Sequence, residues 1–451
     1  MLKKQEIIRI PAAQYYDRKT FTLGNVIVEN WEELNTLKRL THLYTSTEIF
    51  DISHIEELKN LVRLELITTW NNVTNKAKLG NLPNLTWLEL FNTQAIDFND
   101  IPNISTLRKL RLLSHNINNL KEIAKFKQLT DLDISYQEIS FGNPSLFQID
   151  LEHILNLNDL ESLKIGEYEI TNFAYLTKLL NLKNLAFWGT IIDFEEFPNL
   201  PKLESLTLAY IESAINWQKL RNLSNLNSLT IYSWENFILE PIPQLKTLKL
   251  NLGKEISVDC LAKLNEFSNL ESLTIQFDNK ISFDLKEISN LKKLKELKLN
   301  FAVINWETLK DLPNLKNLTI DKESLPAKYS DDPQPLITLE YNNFISTIAF
   351  LEKKNVTVNG ISDEISKDID LNNKESEKLN AERRNFYLKS VLYGIIGIAL
   401  LWLTGRYINK SNIIPRLIND CTNVLKTGEN RKTLEQATNK TIDVISKNMK
   451  F

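Results

Sequence analysis

One pattern, Leu-x-x-Leu-x-Leu, recurs through most of this chain and leaves few folds open to it. It starts at Leu61, Leu85, Leu107, Leu129, Leu160, Leu182, Leu203, Leu226, Leu245, Leu270, Leu294 and Leu315. Weaker copies at Leu40 and Leu336 make fourteen starts, with a mean spacing of about 23 residues. The last two leucines of each copy lie two apart, so they point the same way from a short strand, and the residues between them point to solvent. A single copy cannot bury its leucines; stacked copies can. The pattern therefore predicts an α/β solenoid, a curved parallel sheet of about fourteen repeats.

Between strands the chain must turn and return one layer on. Leu120–Phe126 and Leu285–Leu291 read as helical or 3₁₀ return segments. The step from Leu129 to Leu160 is the longest, and its extra residues fall around the turn-rich stretch Ser140–Ser145, an insertion expected to leave the solenoid as a loop.

The blocks Asn84-Leu-Thr-Trp-Leu-Glu-Leu-Phe-Asn-Thr93 and Asn184-Leu-Ala-Phe-Trp-Gly-Thr190 carry a family resemblance. Over roughly residues 21–360 the chain resembles the leucine-rich-repeat superfamily, in the short form of bacterial internalin-like and intracellular repeats. The resemblance implies a solenoid that binds a partner. It departs from the pattern where the Asn that often follows the strand is missing, and no cell-wall sorting signal is visible, so an exported internalin is not expected.

The reading divides the chain into an N-terminal cap (1–39), a repeat array (40–341), a C-terminal cap (342–360), a charged linker helix (361–385), a candidate transmembrane helix (386–408) and a basic, partly helical tail (409–451). In the caps, Phe21–Val28 reads as a degenerate opening strand, Asn343–Glu352 as a short helix and Val356–Val358 as a closing strand. Residues Ser390–Gly405 are uncharged and mostly apolar, and with their flanks reach the length of a membrane span. Lys389 and Arg406 sit where snorkelling charges would, and Phe386, Tyr387, Trp402 and Tyr407 where interfacial aromatics would. From Arg406 onward nine Lys or Arg face four Asp or Glu, which suits an amphipathic helix on anionic lipid or a small terminal helix equally well.

Composition excludes more than it selects. A formal net charge of −3 with mixed signs argues against a nucleic-acid partner. Two isolated cysteines, Cys260 and Cys421, cannot build disulfide-bonded caps, so a reducing compartment is favoured, and the charged N-terminus has no secretory h-region. The four histidines lack a second ligand at metal spacing. No phosphate loop, kinase motif or nucleophile elbow is present, so no catalytic residue, cofactor, metal or small-molecule substrate is expected.

What remains is a face. Residues on and just after the strands include Trp70, Phe91, Tyr136, Tyr168, Trp188, Tyr210, Tyr232, Trp234, Phe277 and Phe301, with Trp87, Glu89, Arg111, Asp131, Asp133, Lys164, Lys249 and Lys298 at outward positions. Large exposed aromatics on a polar surface are the material of binding hot spots, although each could instead tuck between repeats as core. The expected contacts for a protein or peptide on the concave side are Phe91, Arg111, Asp133, Tyr136, Lys164, Trp188, Tyr210, Tyr232 and Trp234. The expected function is a non-enzymatic receptor or scaffold, tethered to a membrane through 386–408 with its array facing the cytoplasm. The alternatives are a defence-type sensor whose C-terminal helix disrupts membranes, and a soluble regulatory subunit of an enzyme such as a small GTPase or phosphatase; the alternative location is the cytoplasm.

Overall fold

Each Leu-x-Leu pair supplies the inward side of a strand. In the computed structural model these strands are β1 (Thr20–Leu23), β2 (His42–Thr45), β3 (Arg63–Ile67), β4 (Trp87–Asp97), β5 (Lys109–Asn118), β6 (Asp131–Ser135), β7 (Ser162–Gly166) and β8 (Asn184–Trp188). They continue as β9 (Ser205–Ala209), β10 (Ser228–Ser233), β11 (Thr247–Leu252), β12 (Ser272–Phe277), β13 (Glu296–Leu299), β14 (Asn317–Ile320) and β15 (Thr357–Asn359). Together they form one fifteen-stranded sheet in chain order, with parallel pairing throughout. The structure describes residues 6–382 apart from 13–17, 25, 48, 69, 136–147, 167, 190, 211–212, 279–281, 322–334 and 364.

The register explains the cohesion. Leu64, Leu88, Leu110, Leu132 and Leu163 align side by side on neighbouring strands, and all are buried. Burying one such side chain contributes about 1.5–3 kcal/mol, and no repeat could do it without its neighbours. The expected return segments are 3₁₀ helices, Leu120–Lys125 and Leu285–Ile288, with their apolar residues turned inward.

Two polar ladders hold the turns. Before the strands, Asn60, Asn84, Asn181, Asn225, Asn269 and Asn314 each donate to a backbone carbonyl one repeat earlier. The asparagine missing after the strand is thus replaced by one before it. On the return side, Asp51, Asp97 and Asp150 cap 3₁₀ helices by accepting from the backbone N–H two residues on, and Asp193 makes the same turn. In the next repeat Asn75, Asn119, Asn172 and Asn216 take a left-handed backbone and donate to those carboxylates. Asn tolerates that conformation better than other non-glycine residues. Burial works against ionisation of Asp51 and Asp150, but these hydrogen bonds outweigh it and hold both carboxyls below their usual range. The alternation means that the structural unit is a pair of repeats.

Some expectations need correction. Leu336 and Leu339 lie in helix α1 (Pro335–Lys353), not on a further strand, because a spacing of three fits a helix face as well as a repeat start. The opening stretch is divided: Thr20–Leu23 joins the long sheet, while Val26–Val28 pairs with Glu6–Ile8 in a separate two-stranded sheet. Trp70, Tyr168, Phe277 and Phe301 are core residues and not surface aromatics. Phe277 and Phe301 share the inward parity of the leucines before them. The Tyr168 hydroxyl donates to the carbonyl of Ser114 at 2.7 Å, reaching past the repeat that carries the insertion.

The membrane expectation is also overturned: among the described residues no helix is long and apolar enough to cross a membrane. Helix α1 turns Phe344, Ile348 and Leu351 into the repeat core, where all three are buried. A membrane-associated protein with its array facing the cytoplasm is therefore not supported. The segment 386–408 that prompted the idea, and the tail 409–451, lie outside the described residues. The chain divides into two compact units, Met1–Asn372 and Asn373–Phe451; the described part of the second, 373–382, is helical.

Candidate binding face

With the leucines facing in, three residues of each strand face out and line up across the sheet. The middle line runs Glu65, Glu89, Arg111, Asp133, Lys164, Ala186, Thr207, Thr230, Lys249, Thr274 and Lys298. The line beyond it runs Ile67, Phe91, Leu113 and Ser135, then Gly166, Trp188, Ala209, Tyr232, Asn251 and Gln276.

From β3 to β6 the face is a closed charge ladder. Arg63 Nε lies 2.6 Å from Glu65 Oε1, and Arg63 Nη2 lies 3.6 Å from Glu89 Oε2. Arg111 bridges Glu89 at 3.0 Å and Asp133 at 3.2 Å, and Lys109 meets Asp131 at 3.6 Å. The Arg63 guanidinium carbon sits 3.4 Å above the Trp87 ring, a stacked cation–π contact. Glu89, at the centre, is buried. Burial raises its carboxyl pKa, and the neighbouring Glu65 adds to the rise; Arg111 and Arg63 offset only part of it.

From β7 to β12 the character changes. The line before the middle one is Ser162, Asn184, Ser205, Ser228, Thr247 and Ser272, all small and neutral. Above it stands an aromatic group. The rings of Tyr210 and Tyr232 are 6.0 Å apart, and Tyr210 stacks on Trp234 at 6.1 Å with 29° between planes. Tyr210 is 36% exposed and Trp234 41%.

The backbone is arranged around these rings. Tyr210 has φ +52°, in the left-handed region, and its N–H donates to the Tyr232 carbonyl at 2.7 Å. One repeat earlier Gly189 occupies the same place, with φ +59° and an N–H to the Ala209 carbonyl. By parity Tyr210 would point into the core; the left-handed turn brings its ring to solvent, at a cost of about 1–2 kcal/mol. Two glycines make room. A Cβ on Gly253 would lie 2.7 Å from Trp234 Cε3, and one on Gly166 would lie 3.1 Å from Trp188 Cβ. Trp188 thus rises between Gly166 and Ala209, half-buried and outside the core cluster.

Fifteen parallel strands in chain order, one for each leucine pattern through β14 with cap strands at the ends, decide the architecture. The fold is a leucine-rich-repeat solenoid. No family model matches the chain, and no curated protein matches it. Among solved structures it is similar to an internalin, inlF, from Listeria monocytogenes, at 21% identity over 69% of this chain and 87% of that one, with a TM-score of 0.43. It is also similar to a leucine-rich-repeat protein of Leptospira interrogans, LIC12759, at 20% identity over 73% and 90% of the two chains and a TM-score of 0.38. A third likeness is to the mouse RP105/MD-1 complex, at 18% identity over 76% and 63% and a TM-score of 0.46.

On this leucine-rich-repeat face the expected contact residues fall into two groups. Arg111 and Asp133 belong to the charge ladder, with Phe91 half-buried beside it. Lys164, Trp188, Tyr210, Tyr232 and Trp234 lie on β7 to β10 or just after them. Tyr136 lies outside the described residues. Sequence reasoning passed over Arg63, whose stack on Trp87 closes the ladder, and the two glycines under the tryptophans. Glycine is scarce here, 11 in 451 residues, and that scarcity was the available signal.

Proposed function

We propose that the sheet face of this repeat solenoid docks a protein or peptide, which makes the chain a binding receptor or scaffold, and that the contact centres on Trp188, Tyr210, Tyr232 and Trp234. The observation that supports the reading is Tyr210. A bulky residue kept in a left-handed backbone, with its ring turned out of the core, is strain that stability alone would remove. Its ring stacks on Trp234 and meets Tyr232 at a tilt, beside a neutral Ser/Thr carpet that is readily desolvated. Aromatic side chains of this kind carry a large share of the energy in protein interfaces.

The test is a peptide-display selection on the full chain. Selected peptides should lose affinity for the Trp188→Ala and Tyr232→Ala chains while circular dichroism shows the fold retained. Peptides that bind both variants as tightly as the parent would overturn the reading.

A further inference from the structure

The face carries an electrostatic asymmetry that selects among peptides. On β3 to β6 the charges of the ladder pair with one another. Farther along, Lys164 on β7 and Lys249 on β11 are exposed, and among the described residues neither has a carboxylate within 4 Å. The neighbour of Lys164 in register, Asp133, is engaged by Arg111 at 3.2 Å and by the Ser135 hydroxyl at 2.9 Å. The flanking residues of Lys249 in register are Thr230 and Thr274. Between β7 and β12 the three outward lines hold no carboxylate.

We infer that the partner is an acidic peptide segment, extended across the strands, with two carboxylates that meet Lys164 and Lys249 and an apolar stretch between them over Trp188 and Tyr232. This rests on the docking face proposed above. The spacing follows from the sheet. β7 and β11 are four strand steps apart, about 19 Å at the usual inter-strand distance. An extended chain covers that in about five or six residues. The two lysines thus set a ruler for the separation of the acids, and the aromatics stand along its length. A single-stranded nucleic acid suits the face less well, because a charge on every nucleotide would set several phosphates against two lysines.

The experiment uses the full chain and an array of immobilised peptides. Each peptide carries two glutamates, at separations from adjacent to about eight positions, in a background of Ser, Tyr and Pro. Parallel arrays carry no glutamate or two lysines, and oligo-dT and oligo-U spots sit alongside. Binding should peak at a separation of about five or six and fall about tenfold with Lys164→Glu or Lys249→Glu. The double variant should switch its preference to the two-lysine peptides, which also shows that it is folded. Equal binding of the neutral and acidic arrays, lost with Trp188→Ala, would refute the acidic partner and leave the docking face standing. Peptide binding insensitive to both Trp188→Ala and the lysine swaps would refute both. Preferential capture of the oligonucleotides would overturn the peptide assignment.

Discussion

The two halves of the sheet face are built on the same leucine core and behave as opposites. From β3 to β6 the outward charges are cross-linked into a ladder, with Arg63 stacked on Trp87 and Glu89 buried between two arginines. From β7 to β12 the carpet is neutral, the two lysines have no carboxylate within 4 Å among the described residues, and the aromatics are lifted outward by a left-handed Tyr210 and seated over glycine. A surface that satisfies itself offers little to a ligand, since each contact first breaks one already made. A surface with strained, exposed rings and unpaired charge offers net gain. The comparison teaches that repeats built on one leucine core differ in surface character through the outward residues of each strand and the one or two positions that follow it.

The largest effect should show what the halves share. Leu110→Asp beneath the ladder and Leu229→Asp beneath the aromatics each place an unpaired charge in the core, and both should cost several kcal/mol in denaturant titrations. Clearly unequal losses would mean that the cores differ and not only the faces. Next, Glu89→Ala leaves two arginines without their shared partner; it should cost about 1–2 kcal/mol, discounted for the solvent around Arg111. Lys249→Ala should cost close to nothing, and a matching loss there would erase the contrast. Tyr210→Gly should raise stability by up to about 1 kcal/mol by relieving the left-handed backbone, while weakening binding. A melting point that falls would show that Tyr210 is packing and not strain.

Acidification should give the smallest effect, and its sign differs between sites. Asp51, Asp150 and Asp193 have lowered pKa values, so they add stability above the usual carboxylate range and lose it as the pH falls from there through their folded values. Glu89 has a raised pKa, so its contribution opposes: the native state gains as the pH falls through its folded value toward its unfolded one. Glu89→Gln should remove that gain and leave the acid-side loss, which is read from denaturant midpoints across pH.

The repeat, its register and its outward lines were legible because Leu-x-x-Leu-x-Leu sets parity residue by residue. Parity becomes ambiguous where the strand ends, and there the reading of aromatics divided. Phe277 and Phe301 follow the inward parity and are core, whereas Tyr210, at the same parity, is turned out by its φ, which no pattern of apolar residues encodes. The Asp–Asn alternation on the return side was present as Asp51, Asp97, Asp150 and Asp193, each after an apolar residue, alternating with Asn75, Asn119, Asn172 and Asn216, but it is hidden when each copy is compared only with the next. Ion pairing was not legible, because Arg111 and Lys164 occupy equivalent positions and differ only in their neighbours.

The most direct test of the docking face is Trp188→Ala, measured twice on the same preparation: affinity for the tightest display-selected peptide, and unfolding free energy. The account predicts a loss of at least about 1–2 kcal/mol in binding with stability almost unchanged. A loss of about 3–5 kcal/mol in stability, with unchanged affinity per folded molecule, would contradict it.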